Sequence, residues 1–476
     1  MINRVLSRRS FLAGTAWAAP AAGRRAPNFV LILADNLGYG DLGCYGASKH
    51  RTPRIDRMAR EGVRFTACYA ASGVCTPSRA ALLTGRYPRR TGLHYTNDGA
   101  VLRPVSRFGL HPGETTVAET LKERGYDTAI TGKWHLGDQL PFLPTRQGFD
   151  WFFGIPYSED MMANPNGQPI PWPPLPLMEN EEVIEAPADR DQLTRRYTEK
   201  CVEWIGRHRE RPFFLYLAHA TPGSTASAFS SQAFRGHSAN GAYGDSVEEL
   251  DWSTGRILDA LESHALDRDT LVVWTSDNGA VRRSPVQGSN LPLGGWGYTT
   301  AEGGQRIPCI ARWPGRIPGG RTCNALATLM DWAPTFAAFA GARLPNRTID
   351  GRDLGPVLTG ASSSSPHEAF YYYYGPQLQA VRSGDWKLVL PLERKMVSLT
   401  GGTAPGALAL YDVVGDPGER SDLAARRPDV VRRLTALAEK ARAELGDVDR
   451  PGKGQRPHGV FANPTPRILR TTGGRP

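Results

Sequence analysis

Residues 75 to 79 read Cys-Thr-Pro-Ser-Arg and run on into Ala80-Ala81-Leu82-Leu83-Thr84-Gly85-Arg86. Pro77 suits the first turn of a helix, where its missing N–H is not needed, so Cys75 is predicted at a helix N-terminus. Backbone donors and the helix dipole favour an anion there. Arg79, one turn further on, adds a permanent charge on a planar hydrogen-bonding fork. Alone, a thiol before a helix is an ordinary buried feature. Two further segments give it company. The apolar run Asn28–Ala34 (NFVLILA) stops at Asp35-Asn36, and Thr270–Trp274 (TLVVW) stops at Ser276-Asp277-Asn278-Gly279. Both runs read as buried strands. Ligands in open α/β sheets gather at the carboxyl ends of strands, so the two Asp-Asn ends are candidates for one shared site.

The elements that must hold these residues follow from pattern. Phe213–Ala218 is a further strand, Thr115–Arg124 a helix stopped by Gly125, and Tyr243–Leu261 an amphipathic helix with Val247, Leu250, Ile257, Leu258 and Leu261 on one face. Alternating strands and helices predict an α/β domain over residues 26–360, with a mixed, mostly parallel sheet flanked by helices. Gly360 and the four serines after Ala361 mark a linker. Phe370–Tyr374, Trp386–Leu390 and Ala409–Tyr411 are strand-like and Pro428–Leu445 is helical, which predicts a small α+β C-terminal domain over 366–450. The Pro-, Gly- and Arg-rich tail 451–476 is expected to be poorly ordered. Residues 1–22 contain Ser7-Arg8-Arg9-Ser10-Phe11-Leu12 before a mildly apolar stretch. This resembles a twin-arginine export signal and implies a periplasmic or extracellular protein.

Bulk properties narrow the field. Of 476 residues, 40% are hydrophobic and 22% charged, as in a soluble globular protein of two or three domains. No apolar run reaches the roughly 18 residues that span a bilayer. The net charge of +10 is spread along the chain rather than run together, and no nucleic-acid-binding motif accompanies it. An anionic substrate and arginine-rich base composition account for it equally well. Six cysteines with no C-x-x-C pair fit neither a zinc site nor a disulfide scaffold.

The string Cys75-Thr76-Pro77-Ser78-Arg79 resembles the C-x-P-x-R signature of the formylglycine-dependent sulfatases, of arylsulfatase A type, in the alkaline phosphatase superfamily. Other blocks follow in the family's order: Ala34–Asp41, Gly85-Arg86-Tyr87-Pro88, Thr131-Gly132-Lys133-Trp134-His135-Leu136-Gly137, Gly154–Ser158, Ser276–Gly279, and Leu410-Tyr411-Asp412 with Asp416-Pro417. The resemblance implies an alkaline-phosphatase-like fold and hydrolysis of sulfate esters, sulfated carbohydrate or aryl sulfate. It implies oxidation of Cys75 to formylglycine by a formylglycine-generating enzyme. Asp35, Asn36, Asp277 and Asn278 would bind calcium together with the modified Cys75. Arg79 and Lys133 would hold the nucleophile and the sulfate, with Asp277 helping to take the nucleophile's proton. His135 would act as the base that releases sulfate, and Ser158 would hydrogen-bond near the leaving group. A phosphodiester or phosphonate hydrolase of the same superfamily, or a degenerate binder of sulfated ligands, are the alternatives.

Three departures stand against the pattern. Asn36 replaces a second aspartate and removes one negative charge from the cation site. Gly223, in Pro222-Gly223-Ser224-Thr225, stands where the resemblance implies a histidine. Gly297, in Trp296-Gly297-Tyr298-Thr299-Thr300, stands where it implies a lysine. The leaving-group side is therefore expected to lack its acid, unless His219 or His237 serves, and Gly223→His is expected to restore it. Loss of a general acid costs about 10²–10⁴-fold.

Overall fold

The computed structural model describes residues 25–163, 170–224, 228–392, 396, 406–448 and 450–469. The proposed export segment 1–22 lies outside them.

Strand Asn28–Asp35 is buried along its whole length and sits in the middle of the molecule. Its residues serve two layers in alternation: Phe29, Leu31 and Leu33 enter one hydrophobic core, Val30, Ile32 and Ala34 the other. Burial on both faces is why the run is continuously apolar. Strands Thr270–Ser276 and Phe213–Pro222 flank it in parallel, and Asp127–Lys133 and Trp151–Ile155 continue outward, also parallel. On the other side Arg306–Arg312 runs antiparallel between Thr270–Ser276 and Val63–Tyr69. The described residues form eleven strands in this sheet, so it is mixed and mostly parallel, as expected. Helices Leu193–Arg207 and Gly241–Ser263 pack with the second core, and Trp332–Ala340 with the first.

The C-terminal region is a four-stranded antiparallel sheet of Phe370–Tyr374, Gln377–Ser383, Trp386–Val389 and Ala409–Asp412, with helix Pro428–Leu445 laid on it. It shares a core with Tyr69, Tyr87 and Met330 from the part of the chain that carries the large sheet. Within that seam Glu302 is wholly buried. It accepts hydrogen bonds from Tyr69 (2.6 Å) and Tyr372 (2.7 Å), and Lys387 Nζ lies 3.3 Å away.

The expectation of a poorly ordered tail is corrected over residues 451–469. Gly459–Val460 pairs with Phe108–Gly109, Arg456 forms an ion pair with buried Glu114, and Thr465 exchanges hydrogen bonds with the Gln139 side chain. Proline and arginine content signalled a loose tail. Here the arginine finds a buried carboxylate and the extended backbone finds a strand to pair with.

Candidate functional site

The carboxyl ends of the central strands converge. Asp35 is the last residue of its strand, Asp277 follows Ser276, and Lys133 ends Asp127–Lys133. Helix Cys75–Thr84 starts against them with Cys75 as its first residue, after an extended Val74. Carboxylate oxygens of Asp35 and Asp277 and the Cys75 sulfur all lie within 4.8 Å of one another.

Buried Arg79 ties the two carboxylates together, and buried Lys133 holds Asp35. Arg79 donates from Nη2 to Asp35 (2.9 Å), from Nε to Asp277 (3.0 Å) and from Nη1 to the Lys133 carbonyl (2.8 Å). Lys133 Nζ donates to both oxygens of Asp35 at 2.8 and 2.9 Å and to Ser158 Oγ at 2.9 Å. Despite burial, Lys133 and Arg79 hold the Asp35 carboxyl well below the usual carboxylate range. Asp277 moves the other way. Burial, and then the charge of Asp35, push it up to about 7. Burial pushes the Cys75 thiol well up, and Asp35 and Asp277 reinforce the shift.

The two asparagines complete the group. Asn36, with φ +60°, donates its backbone N–H to Asp277 at 3.0 Å, and its Oδ1 stands 3.8 Å from the Cys75 sulfur. Asn278 Nδ2 donates to Asn36 Oδ1 (2.6 Å), while Asn278 Oδ1 is buried without a partner among the described residues. His135, also left-handed at φ +62°, has Nε2 3.0 Å from the Leu102 carbonyl. Donation there fixes the tautomer and leaves Nδ1 a bare acceptor, with no partner among the described residues. Burial, then Lys133 and Arg79, hold the ring well below the ordinary histidine range, so it is neutral.

All nine residues singled out from the sequence therefore fall in one place. The proposed substitutes for the missing acid do not. His219 is buried, 3.3 Å from Ser253 of helix Gly241–Ser263, and burial pushes it down to about 3. His237 is exposed on a loop capped by Asp245. Gly223 has φ +74°, and a Cβ there would overlap Glu159 Oε1; a Cβ at Gly297 would overlap the Gly279 carbonyl. Neither glycine can take a large side chain without a local shift, so Gly223→His is not the simple repair expected.

Three residues escaped the sequence reading. Glu159 accepts from Ser158 Oγ (2.8 Å) and the Ser224 backbone N–H (2.7 Å), and burial pushes it up to about 7. Ser224 Oγ accepts from Asn36 Nδ2 at 2.8 Å and lies 2.9 Å from the Tyr298 hydroxyl. A serine or tyrosine in a loop carries no periodic signal. Only the glycines beside Ser224 and Tyr298 marked the region.

The sulfatase family profile matches residues 27–342, and the C-terminal profile of N-sulphoglucosamine sulphohydrolase matches 299–443. This chain belongs to the sulfatase family. The sulfatase is 41% identical to human arylsulfatase A over 89% of each chain. It is 42% identical to N-acetylgalactosamine-6-sulfatase of Canis lupus familiaris, over 77% of this chain and 72% of that one. A solved structure from work on the metabolism of multiple glycosaminoglycans by Bacteroides thetaiotaomicron superposes with a TM-score of 0.76 at 29% identity, covering 88% of this sulfatase and 99% of that chain. The sulfatase is thus an enzyme of the sulfuric ester hydrolase type.

Proposed function

We propose that this sulfatase cleaves sulfate esters of carbohydrates or aryl alcohols with a calcium ion held by Asp35, Asn36, Asp277, Asn278 and a formylglycine made from Cys75. The observation that carries the reading is the meeting of Asp35, Asp277 and Cys75 within 4.8 Å, beside Arg79 and Lys133. Two carboxylates and an orphaned amide oxygen form a hard-cation donor set. Sulfur is the odd donor in it, and converting Cys75 to an oxygen-bearing side chain makes the set uniform. Calcium would supply Lewis acidity and formylglycine, as its hydrate, the nucleophilic hydroxyl.

Charge balance supports the same conclusion. With both carboxylates ionised, Asp35 and Asp277 neutralise Arg79 and Lys133, so the four side chains alone offer an anionic ester no net attraction. A divalent cation would tip the balance toward sulfate. Arg79 and Lys133 then orient the sulfate oxygens, fixed from behind by Asp35, Asp277 and Ser158. Asp277 accepts the nucleophile's proton. His135, neutral with Nδ1 free, takes the proton whose loss releases sulfate. Export by the twin-arginine route and maturation by a formylglycine-generating enzyme belong to this reading. The arginine pair near the N-terminus and the signature around Cys75 support them.

Mass spectrometry of the Cys75 peptide, from protein co-expressed with a maturation enzyme, tests the proposal. An aldehyde in place of the thiol is expected, and an unmodified thiol would sink it. Parallel assays of aryl sulfate and aryl phosphate esters test the substrate class. A preference for a phosphodiester by more than an order of magnitude would favour a phosphoester hydrolase instead. Tight, salt-sensitive binding of a sulfated glycan without sulfate release would mark a binder.

A further inference from the structure

The sequence places glycine at 223 and 297, and the structure closes both positions to a large side chain. What faces the site from these two loops is a pair of hydroxyls, Ser224 Oγ and Tyr298 Oη, 2.9 Å apart. Tyr298 has φ +66°, a left-handed backbone that a bulky residue rarely adopts. The surroundings hold it there. Its N–H donates to the Gly73 carbonyl at 2.9 Å, two residues before Cys75, and its ring packs with Val74, Ala100 and Val281. The ring is thus anchored to the segment that delivers Cys75. Its hydroxyl reaches Ser224, which is itself bonded to Asn36.

We infer that Tyr298 is the proton donor to the departing alcohol, with Ser224 as its positioning partner. Asn36 Nδ2 donates to Ser224 Oγ, the Ser224 proton is directed to Tyr298 Oη, and the Tyr298 proton points onward to the ester oxygen. As the nucleophile's oxygen bonds to sulfur, the bond from sulfur to the ester oxygen breaks. Its electron pair stays on that oxygen, which takes the Tyr298 proton and leaves as the free alcohol. The phenolate recovers a proton from water that enters as the alcohol departs. This rests on the sulfate-ester reading above and extends it to the leaving-group side.

The test is kcat/KM of the matured enzyme across aryl sulfates of rising leaving-group pKa, plus one sugar sulfate, for the unmodified protein, Tyr298→Phe and Ser224→Ala. Tyr298→Phe keeps the ring in its apolar cluster, and a melting curve confirms the fold. A loss of about 10²-fold is expected for the poorest leaving groups, in kcat rather than KM, with little change for 4-nitrophenyl sulfate. The dependence on leaving-group pKa steepens and the solvent deuterium isotope effect on poor substrates falls. Ser224→Ala is expected to shift both in the same direction by less. An unchanged slope in Tyr298→Phe, with the unmodified enzyme active, overturns the Tyr298 assignment alone. If Tyr298→Phe does not fold, the slope in Ser224→Ala decides, and no change there overturns it. An unmodified enzyme with oxidised Cys75 that turns over no sulfate ester overturns the reading and this inference together.

Discussion

Asp35 and Asp277 approach one another through Arg79, and the charge of Asp35 is one reason Asp277 is pushed up to about 7. A divalent cation between them removes that repulsion. Calcium is therefore expected to raise the melting temperature and a chelator to lower it. At 100 times the dissociation constant, binding adds about 2.7 kcal/mol. Asp277→Asn should abolish the calcium-dependent shift, as differential scanning calorimetry would show; an undiminished shift would place the ion elsewhere. His135 permits a separate check. Its Nδ1 has no hydrogen-bond partner among the described residues, so His135→Ala is expected to lower kcat about 10²–10⁴-fold while leaving calcium binding intact. At this scale part of the site was legible, because Asp35, Cys75 and Asp277 sit where strands stop or a helix starts; Lys133, His135 and Ser158 were legible only through the family resemblance. Glu159, Ser224 and Tyr298 were not. They reach the site through loops whose course depends on Gly223 and Gly297, and no local pattern announces that.

The site's geometry is set one level up, by how closely the strands approach. Gly132 precedes Lys133 with φ +107°, and a Cβ there would overlap the Ala218 carbonyl of the adjacent strand; a Cβ at Gly154 would overlap the Gly132 carbonyl. Three strands are drawn together at the level of Lys133 because two of them lack side chains there. Gly154→Ala is expected to destabilise the fold by more than about 1 kcal/mol and to raise KM, since separating the strands moves Lys133 off Asp35. Chemical denaturation and steady-state kinetics would show both; a neutral outcome would mean the strands can slide apart without cost. Strands Asn28–Asp35, Phe213–Pro222 and Thr270–Ser276 were readable from the sequence through their doubly buried apolar runs, whereas Asp127–Lys133, Trp151–Ile155 and Arg306–Arg312 were not. Helices Gly241–Ser263 and Pro428–Leu445 were readable through their period, the second to the residue, whereas Leu193–Arg207 and Trp332–Ala340 were not. The tail was misread, because pairing of Gly459–Val460 with Phe108–Gly109 is a contact between distant segments that composition cannot foresee.

Across the whole molecule, the large mixed sheet and the C-terminal antiparallel sheet are joined by charge as well as by aromatic packing. Glu302 lies in the seam, and Lys387, Arg306 and Arg382 hold its carboxyl down to about 2 despite burial. A carboxyl held below its ordinary value of 4.5 stabilises the fold above that pH. The contribution is lost as pH falls through about 2. Acid unfolding is therefore expected to begin below pH about 4.5 with a Glu302-dependent component. Glu302→Gln, which leaves Lys387 with Glu419 at 2.8 Å as its remaining carboxylate, should destabilise the fold near neutrality and flatten that acid limb in a pH series of thermal melts. If the limb is unaltered, other carboxylates govern it. The central strand has one more consequence. It enters at Asn28, where the adjoining Pro27 carbonyl accepts from Tyr126, and reaches the catalytic pole at Asp35. Eight residues of extended chain separate these ends by about 25 Å. A tag, linker or solid support joined directly at residue 25 would meet the sheet at the end of the central strand away from Asp35. Immobilisation through that end should leave access for large polymeric substrates unimpaired.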